Sequence, residues 1–364
     1  MKKKDNSNDI ISISKQIRCS IFLFAFCLFL SCNVNNKSFF VNTETFDFND
    51  LETSMLEGVV LKFNDTIWNP VDITLKDTLL FLKNRSAEYI YDIYNLNNNT
   101  KINECFNIGQ GPNDFIFPLI VQSMDTNVWI YDKDLAKLNE YKVSNLLVSK
   151  APLSIKNIIF KKNSSTNVAV LSDGTILASV NLLPRGGFDY YNHEGLFLDS
   201  IGGFPEFTSG KLSDMEKVMF LRHDFATNMT DRIFLSYSFT DLIEVYDFHG
   251  KCIKRMQGPH QHQLIMNLRS TGEYVSAGLV SDKTYKCYSR PVYAGEEVFV
   301  LYFGELADSY ESRNYKIIVF NWDGKPLRMY ELDTHLFAFT VDYKNRIIYG
   351  ITNSPEYMII KFDY

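Results

Sequence analysis

Three neighbouring side chains with complementary chemistry stand at Arg222, His223 and Asp224. A guanidinium, an imidazole and a carboxylate at consecutive positions could bind a polar ligand. The segment precedes a strand-like run, in a long interval where an inserted loop is expected. We predict these three residues as candidate binding residues. The alternative is a strand with one face packed and the other solvated.

A second candidate segment alternates aromatic with cationic residues near position 288. Tyr and Arg are favoured anchors of binding surfaces, and such aromatic loops would suit stacking on a carbohydrate or a peptide. The same alternation also arises in a strand whose aromatic residues pack while its cations face solvent. We predict the following further binding residues: Tyr285, Lys286, Tyr288 and Arg290.

The sequence contains none of the short motifs that identify common catalytic sites, such as a GxSxG elbow, a P-loop, HExxH or an EF-hand loop. Gly109-x-Gly111 is followed by Pro112, which has no amide hydrogen to offer a phosphate, so this segment is interpreted as a turn. His260 and His262 could begin a metal site, but an exposed loop is the favoured interpretation. We predict no catalytic residue and no metal site.

The first 31 residues have the pattern of a bacterial export signal. Five basic residues precede ten residues without a polar side chain. At about 1.5 Å per residue, this run is too short to cross the hydrocarbon core as a helix. Cys32 follows a small residue, as in a lipobox. We predict a signal peptide over 1–31, a lipid on Cys32 and a polar tether over 32–55; ordinary cleavage and an uncleaved anchor are the alternatives.

Charge and cysteine content narrow the classes of partner. Removal of the signal changes the net formal charge from −6 to −9, and an acidic chain without a basic stripe argues against nucleic acid. Cys105, Cys252 and Cys287 then remain besides Cys32, without the spacing of a zinc site. At most one disulfide can form among the three, and Cys252–Cys287 is the pair we favour.

Similar strand-like runs recur at intervals of 49, 48, 57, 65 and 49 residues. A period near 50 with several strands per unit predicts a β-propeller, in which neighbouring blades bury each other's faces. We predict an all-β, six-bladed propeller of four-stranded antiparallel blades over 56–364, with long loops in the two longer intervals and a short helix within 212–222. A seventh blade, a sandwich and a barrel are the alternatives. The runs begin at Leu79, Val128, Ile176, Ile233, Val298 and Ile347.

The segment from Ile108 to Phe115, IGQGPNDF, resembles the phrase that joins blades in NHL-type propellers. Weaker matches to this motif begin at Ile201 and Gln257. With the signal, the lipobox and the VFNWDGKPL strand beginning at Val319, the chain is similar to TolB-like six-bladed propeller lipoproteins of the Bacteroidota. The resemblance implies fold and compartment, but no reaction. No acidic cluster follows the lipidated cysteine, which favours an outer-membrane lipoprotein that faces the periplasm.

An enzyme is the alternative, because propeller hydrolases gather calcium ligands from several blades and linear spacing cannot reveal them. Four aspartates precede strand-like runs at similar positions, although Asp also caps turns well, and capping is the favoured interpretation. We predict a non-catalytic module without a cofactor that binds an envelope protein, a peptide or a carbohydrate. The alternatives are a metal-dependent hydrolase or lyase, with calcium at the central channel, and a structural partner in a membrane assembly. The four aspartates are Asp72, Asp125, Asp173 and Asp342.

Overall fold

The computed structural model describes residues 38–85, 87–161, 165–262, 265–271, 274–307 and 315–364. Six β-sheets in this part of the chain form the blades of a propeller, which confirms the predicted fold. The predicted signal peptide and Cys32 lie outside the described residues.

The strands follow one another along the chain in blade order. Three short strands precede the first blade: β1 (Glu44–Thr45), β2 (Glu52–Leu56) and β3 (Val59–Leu61). Blade 1 contains β4 (Pro70–Lys76), β5 (Leu79–Asn84), β6 (Tyr91–Asn95) and β7 (Thr100–Cys105). Blade 2 contains β8 (Pro118–Ile120), β10 (Val128–Asp132), β11 (Lys137–Tyr141) and β12 (Lys156–Ile159), while β9 (Gln122–Ser123) pairs with the next blade. Blade 3 contains β13 (Val168–Val170), β14 (Ile176–Ser179), β15 (Phe188–Tyr191) and β16 (Phe197–Ile201).

The second half of the ring carries the longer connections. Blade 4 contains β17 (His223–Thr227), β18 (Arg232–Tyr237), β19 (Leu242–Asp247) and β20 (Cys252–Gln257). A hairpin of β21 (Met266–Thr271) and β22 (Tyr274–Leu279) follows. Blade 5 contains β23 (Tyr285–Tyr288), β24 (Val292–Ala294), β25 (Glu297–Leu306), β26 (Lys316–Asn321) and β27 (Pro326–Leu332). Blade 6 contains β28 (Ala338–Asp342), β29 (Ile347–Thr352) and β30 (Met358–Asp363).

In blade 5, β23 and β24 pair with the same edge of β25 and form one interrupted inner strand. The six predicted strand starts then each fall at the second strand of a different blade, within one residue of its first residue. These strands are apolar because neighbouring blades cover both of their faces; β10, for example, is buried over its whole length. Each apolar run in the sequence therefore marks one blade, and the predicted count of six blades is confirmed.

The two longer intervals contain inserted elements, as predicted. Helix α2 (Asp214–Phe220) lies between blades 3 and 4 and begins at Ser213 with a capping box to Glu216. The β21–β22 hairpin lies between blades 4 and 5. A short helix α1 (Val143–Leu146) in blade 2 was not predicted. No helix among the described residues is long and apolar enough to cross a membrane.

The antiparallel order of the strands divides the connections between two faces of the propeller. Connections between blades, and those between the second and third strands of a blade, lie on one face, which we call the loop face. The remaining connections are mostly short and lie on the opposite face, the turn face. Both long insertions therefore belong to the loop face.

The N-terminal residues 38–61, which we call the strap, run along the outer edges of blades 4, 5 and 6. In the strap, β1 and β2 pair in parallel with the outer strands of blades 4 and 5, and β3 completes blade 6 by pairing with β30. Phe40 and Phe48 are 1% and 6% exposed. The compact unit begins at Ser38, so residues 38–55 belong to the propeller rather than to the tether predicted over 32–55. The reason is that the strap pairs with open strand edges and buries aromatic side chains.

A buried ion pair in blade 4 also holds the strap. Arg255 Nε donates to Glu244 Oε1 at 2.6 Å, and Arg255 Nη1 donates to the carbonyl oxygen of Val41 at 2.7 Å. The carboxylate of Glu244 is fully buried and also accepts hydrogen bonds from the hydroxyls of Tyr237 and Tyr246. Arg255 thus connects the buried carboxylate of Glu244 to the strap.

The favoured disulfide is not formed. Cys105, Cys252 and Cys287 are all free. Cys252 begins the outer strand of blade 4, whereas Cys287 is fully buried in the innermost strand of blade 5. Cys252 therefore lies at the outer edge of one blade and Cys287 at the inner edge of the next, so their thiols cannot pair. The sequence pattern does not show at which edge of a blade each cysteine lies.

Candidate functional site

Charged side chains from the innermost strands meet near the propeller axis. Asp72 lies on β4 of blade 1, and Arg290 lies between β23 and β24 of blade 5. Arg290 Nη2 is 3.1 Å from Asp72 Oδ1, although the two residues are 218 positions apart. Their side chains are 26% and 20% exposed, so the pair is reachable by solvent. It replaces the turn-capping role predicted for Asp72.

Two of the predicted residues of blade 4 extend this charged group. Burial raises the pKa of Asp224, against the opposing charges of Arg290 and Arg222. Arg222 is exposed, and Asp224 is half-buried. Asp224 carries no hydrogen bond on its carboxyl oxygens in the described structure, so these oxygens retain acceptor capacity.

Lys83 adds a second cation to the group. Lys83 is the register partner of Asp72 in blade 1 and is 6% exposed. Burial lowers the pKa of Lys83 to about 8, while the charge of Asp72 raises it and that of Arg290 lowers it. We call Asp72, Lys83, Asp224 and Arg290 the axial cluster. Three blades supply it, at the loop-face end of their inner strands.

An exposed aromatic ring borders the axial cluster. Phe117 is 47% exposed, and its ring lies 3.9 Å from Lys83 Nζ and 4.7 Å from Lys133 Nζ. The backbone that carries the ring is held by Asp132, which ends β10 and whose Oδ2 accepts hydrogen bonds from the amides of Ile116 and Phe117 at 2.6 and 2.9 Å. The site therefore combines cations with a rigidly held apolar surface.

The structure does not bring the other predicted residues to the axial cluster. His223 is 2% exposed and packs between Phe188 and Tyr237, and burial lowers its pKa to about 4. Tyr288 is 2% exposed in the core of blade 5. Alternation along a strand explains both placements, because neighbouring side chains point to opposite faces.

Two further predicted residues lie at the loop-face end of blade 5. Tyr285 stacks on His262 with ring centroids 3.7 Å apart. Lys286 Nζ lies 3.5 Å from the ring centroid of Phe303. His260 Nδ1 is 2.6 Å from the hydroxyl of Tyr302. The two histidines are thus engaged by tyrosines, and His260 is exposed as predicted.

The remaining aspartates of the sequence prediction do cap turns. Asp125 accepts from the amide of Asn127 and from the indole of Trp129, Asp173 from the amide of Thr175, and Asp342 from Asn345. In the described ranges, no group of three or more His, Cys, Asp or Glu side chains could hold a metal ion.

The IGQGPNDF phrase is a turn, as predicted. The amide of Gly111 donates to Asp114 Oδ2 at 3.1 Å, and Lys137 Nζ donates to the carbonyl oxygens of Gly111 and Pro112 at 3.2 Å each. A Cβ at Gly109 or Gly111 would stand 2.6 Å from Asp114 Oδ2, so a side chain at either position would displace the Asp114 carboxylate from its place in this turn. The phrase and its two weaker matches each follow the last strand of a blade.

Sequence reasoning missed Lys83 and Phe117. One signal for Lys83 exists, because it interrupts the otherwise apolar run from Leu79 to Leu82 just before the strand ends. No such signal marks Phe117, whose role depends on the neighbouring blade.

Comparisons with known proteins concern the fold and the family of the chain. A solved structure of a proposed exported protein from Bacteroides fragilis NCTC 9343 is 13% identical, with a TM-score of 0.54, and the match covers 88% of this chain and 99% of that one. A member of the DUF4221 family from Bacteroides vulgatus ATCC 8482 is 11% identical, with a TM-score of 0.49, over 86% and 97% of the two chains. No curated protein matches significantly. The family model for TolB-like six-blade propellers matches residues 47–344, and the chain therefore belongs to the TolB-like six-bladed propeller family.

Proposed function

We propose that this propeller is a non-catalytic binding module that uses its loop face, with the axial cluster at the centre of the contact. The observation that carries this proposal is the convergence of Asp72, Asp224 and Arg290 from three blades with hydrogen-bonding capacity left over. Such convergent polar groups beside an aromatic surface are typical of ligand sites. A peptide, a carbohydrate or an envelope protein is the proposed partner class, and no cofactor is required.

The proposed location is the periplasmic side of the outer membrane, where a lipid on Cys32 would anchor the propeller. The support is the signal-like N-terminus and the absence of an acidic cluster after Cys32. The similar Bacteroides fragilis protein, described as exported, agrees with this location. Cys32→Ser should move the protein from the membrane fraction to the soluble fraction and abolish labelling by a radioactive fatty acid. Unchanged membrane association and labelling would refute the anchor.

Binding is tested by screening the purified full chain against panels of short peptides and oligosaccharides. Arg290→Ala and Arg222→Ala should each weaken binding of any hit by about tenfold or more. Both should leave the unfolding midpoint nearly unchanged, because partly exposed ion pairs contribute about 0–1 kcal/mol. Lys344→Ala is the control, because Lys344 is exposed in a turn-face connection.

Two results would overturn the proposal. The first is binding that none of the loop-face variants changes. The second is a stoichiometric metal in the purified chain that supports hydrolysis and is lost when axial carboxylates are replaced, which would establish the hydrolase alternative.

A further inference from the structure

Lys83 is a buried cation without a hydrogen-bond or ion-pair partner among the described residues. Its side chain is 6% exposed, yet Lys83 Nζ forms no hydrogen bond or ion pair within the described ranges. Lys83 Nζ lies over the ring of Phe117, 3.9 Å from its centroid. A buried ammonium ordinarily has an anionic or hydrogen-bonding partner, because loss of hydration is otherwise uncompensated. Lys83 therefore has donors that no described residue of the chain engages.

Arg290 offers unused donors at the same place. A guanidinium has five N–H donors in a planar fork. Within the described ranges only Nη2 is engaged, by Asp72 Oδ1 at 3.1 Å. Asp72 connects the two cations, because it is the register partner of Lys83 and the hydrogen-bond partner of Arg290, and the charge of Arg290 lowers the pKa of Lys83. A point-like ammonium beside a planar fork matches the two oxygens of a carboxylate.

The charges around Lys83 and Arg290 are close to balanced. Lys133 is paired with Asp134, whose Oδ1 lies 3.5 Å from Lys133 Nζ. The other groups that act on the axial cluster are three cations and three carboxylates. The existing carboxylates repel each negative charge that a ligand brings, so one charge is less costly to bind here than two. The six groups are Lys83, Arg222, Arg290, Asp72, Asp132 and Asp224.

We propose that Lys83 and Arg290 bind the carboxylate of a monoanionic ligand at the loop-face end of the axis, with the ligand's apolar or planar body against Phe117. The proposal rests on the binding function proposed above and names the ligand chemistry of that site. Phe117 supports it because nearly half of the ring is exposed while its backbone is held by Asp132. Ring position and charge thus select for a carboxylate attached to a flat body.

The test compares benzoate with benzamide, which share a ring but differ in charge, and with inorganic phosphate as the multiply charged probe. Nuclear magnetic resonance titrations of the purified full chain should show saturable binding of benzoate below about 10 mM and none of benzamide. Lys83→Met keeps the apolar stem over Phe117 and should weaken benzoate binding about tenfold or more. Lys344→Met on the turn face is the matched control and should bind benzoate as the wild type does.

A second measurement does not depend on any variant folding. The pKa of Lys83, followed by the carbon resonance next to its amine, should rise when benzoate binds and stay constant with benzamide, because a nearby carboxylate stabilises the ammonium. Failure of benzoate to bind, equal binding of benzamide, tighter binding of phosphate, or an unchanged pKa of Lys83 would each overturn the proposal.

Failure of the carboxylate proposal is distinguishable from failure of the binding function. If benzoate does not bind, but peptide or oligosaccharide hits still require Arg290, the carboxylate proposal is wrong and the binding module stands. If no loop-face variant alters any binding, both are wrong.

Discussion

Replacing Arg255 by Met should destabilise the propeller far more than the same change at a half-exposed arginine. Arg255→Met leaves the fully buried carboxylate of Glu244 without its cation and removes the hydrogen bond to Val41. Breaking a buried ion pair from one side lowers the free energy of unfolding by about 3–5 kcal/mol. The lost bond to the strap contributes about 0.5–1.5 kcal/mol, part of which is already contained in that figure.

Arg328 provides the matched control. Arg328 makes two hydrogen bonds to Glu297, at 2.7 and 2.6 Å, but the two side chains are 25% and 28% exposed. Water can solvate Glu297 once the arginine is gone, so Arg328→Met should lower the free energy of unfolding by about 0–1 kcal/mol. The contrast tests burial, because each pair joins two strands of one blade: β19 with β20 for Glu244 and Arg255, and β25 with β27 for Glu297 and Arg328.

The pH dependence of the free energy of unfolding provides a second test of Arg255→Met. Burial raises the pKa of Glu244, even with the opposing charge of Arg255. The pKa of Glu in an unfolded chain is about 4.3. Because the folded-state pKa of Glu244 is higher, the free energy of unfolding falls as pH rises from that value through the folded-state pKa. Without Arg255 this loss is larger. Arg255→Met should therefore be less destabilising at pH 5 than at pH 8.

The assay is urea unfolding followed by tryptophan fluorescence at pH 5 and pH 8. Adding Glu244→Gln to Arg255→Met should recover part of the lost stability, since a neutral amide is less costly to bury than an unpaired carboxylate. The reasoning is refuted if Arg255→Met is no more destabilising than Arg328→Met at pH 8, or if its effect is the same at both pH values.

Three other outcomes follow from buried groups and from glycine geometry. The pKa of His223 is lowered to about 4, so wild-type stability should fall as pH drops from about 6.5 towards 4, by up to about 1.4 kcal/mol per pH unit from this residue; His223→Gln should reduce that slope in urea unfolding, and an unchanged slope contradicts it. Iodoacetamide should modify half-buried Cys252 well before fully buried Cys287, at rates that dithiothreitol does not alter because neither is in a disulfide; equal rates would contradict the described burial. Gly187→Ala should lower the melting temperature more than Gly210→Ala, because both have positive φ but only at Gly187 would the new Cβ meet a backbone oxygen, at 2.3 Å; similar losses would refute the steric argument.

The blades were predictable because each contains a strand buried on both faces. The starts at Leu79 and Val128 follow from runs of apolar and β-branched residues that no solvated strand would carry. The turn at Gly324 was likewise predictable, since its φ of +79° is a conformation that glycine adopts without strain.

The axial cluster was only partly predictable, because it depends on the angular positions of the blades. Arg290 and Asp224 were identified from composition, but their partner Asp72 lies on another blade more than 150 positions away in sequence. Nothing in the sequence alone fixes which inner-strand residues share a height along the axis. Strand alternation, which was the alternative for both candidate segments, accounts for His223 and Tyr288, because both lie in the core.

The pairing of β3 with β30 has a consequence for the order of folding. These strands come from opposite ends of the described chain, with Val60 opposite Ile360. The outer strand of blade 6 is therefore made long before the strand that it pairs with. Contacts of such long sequence separation form slowly, because the chain between them must be ordered first. Until β30 has been made and has folded, the edge of β3 stays unpaired, and an unpaired strand edge is prone to aggregation.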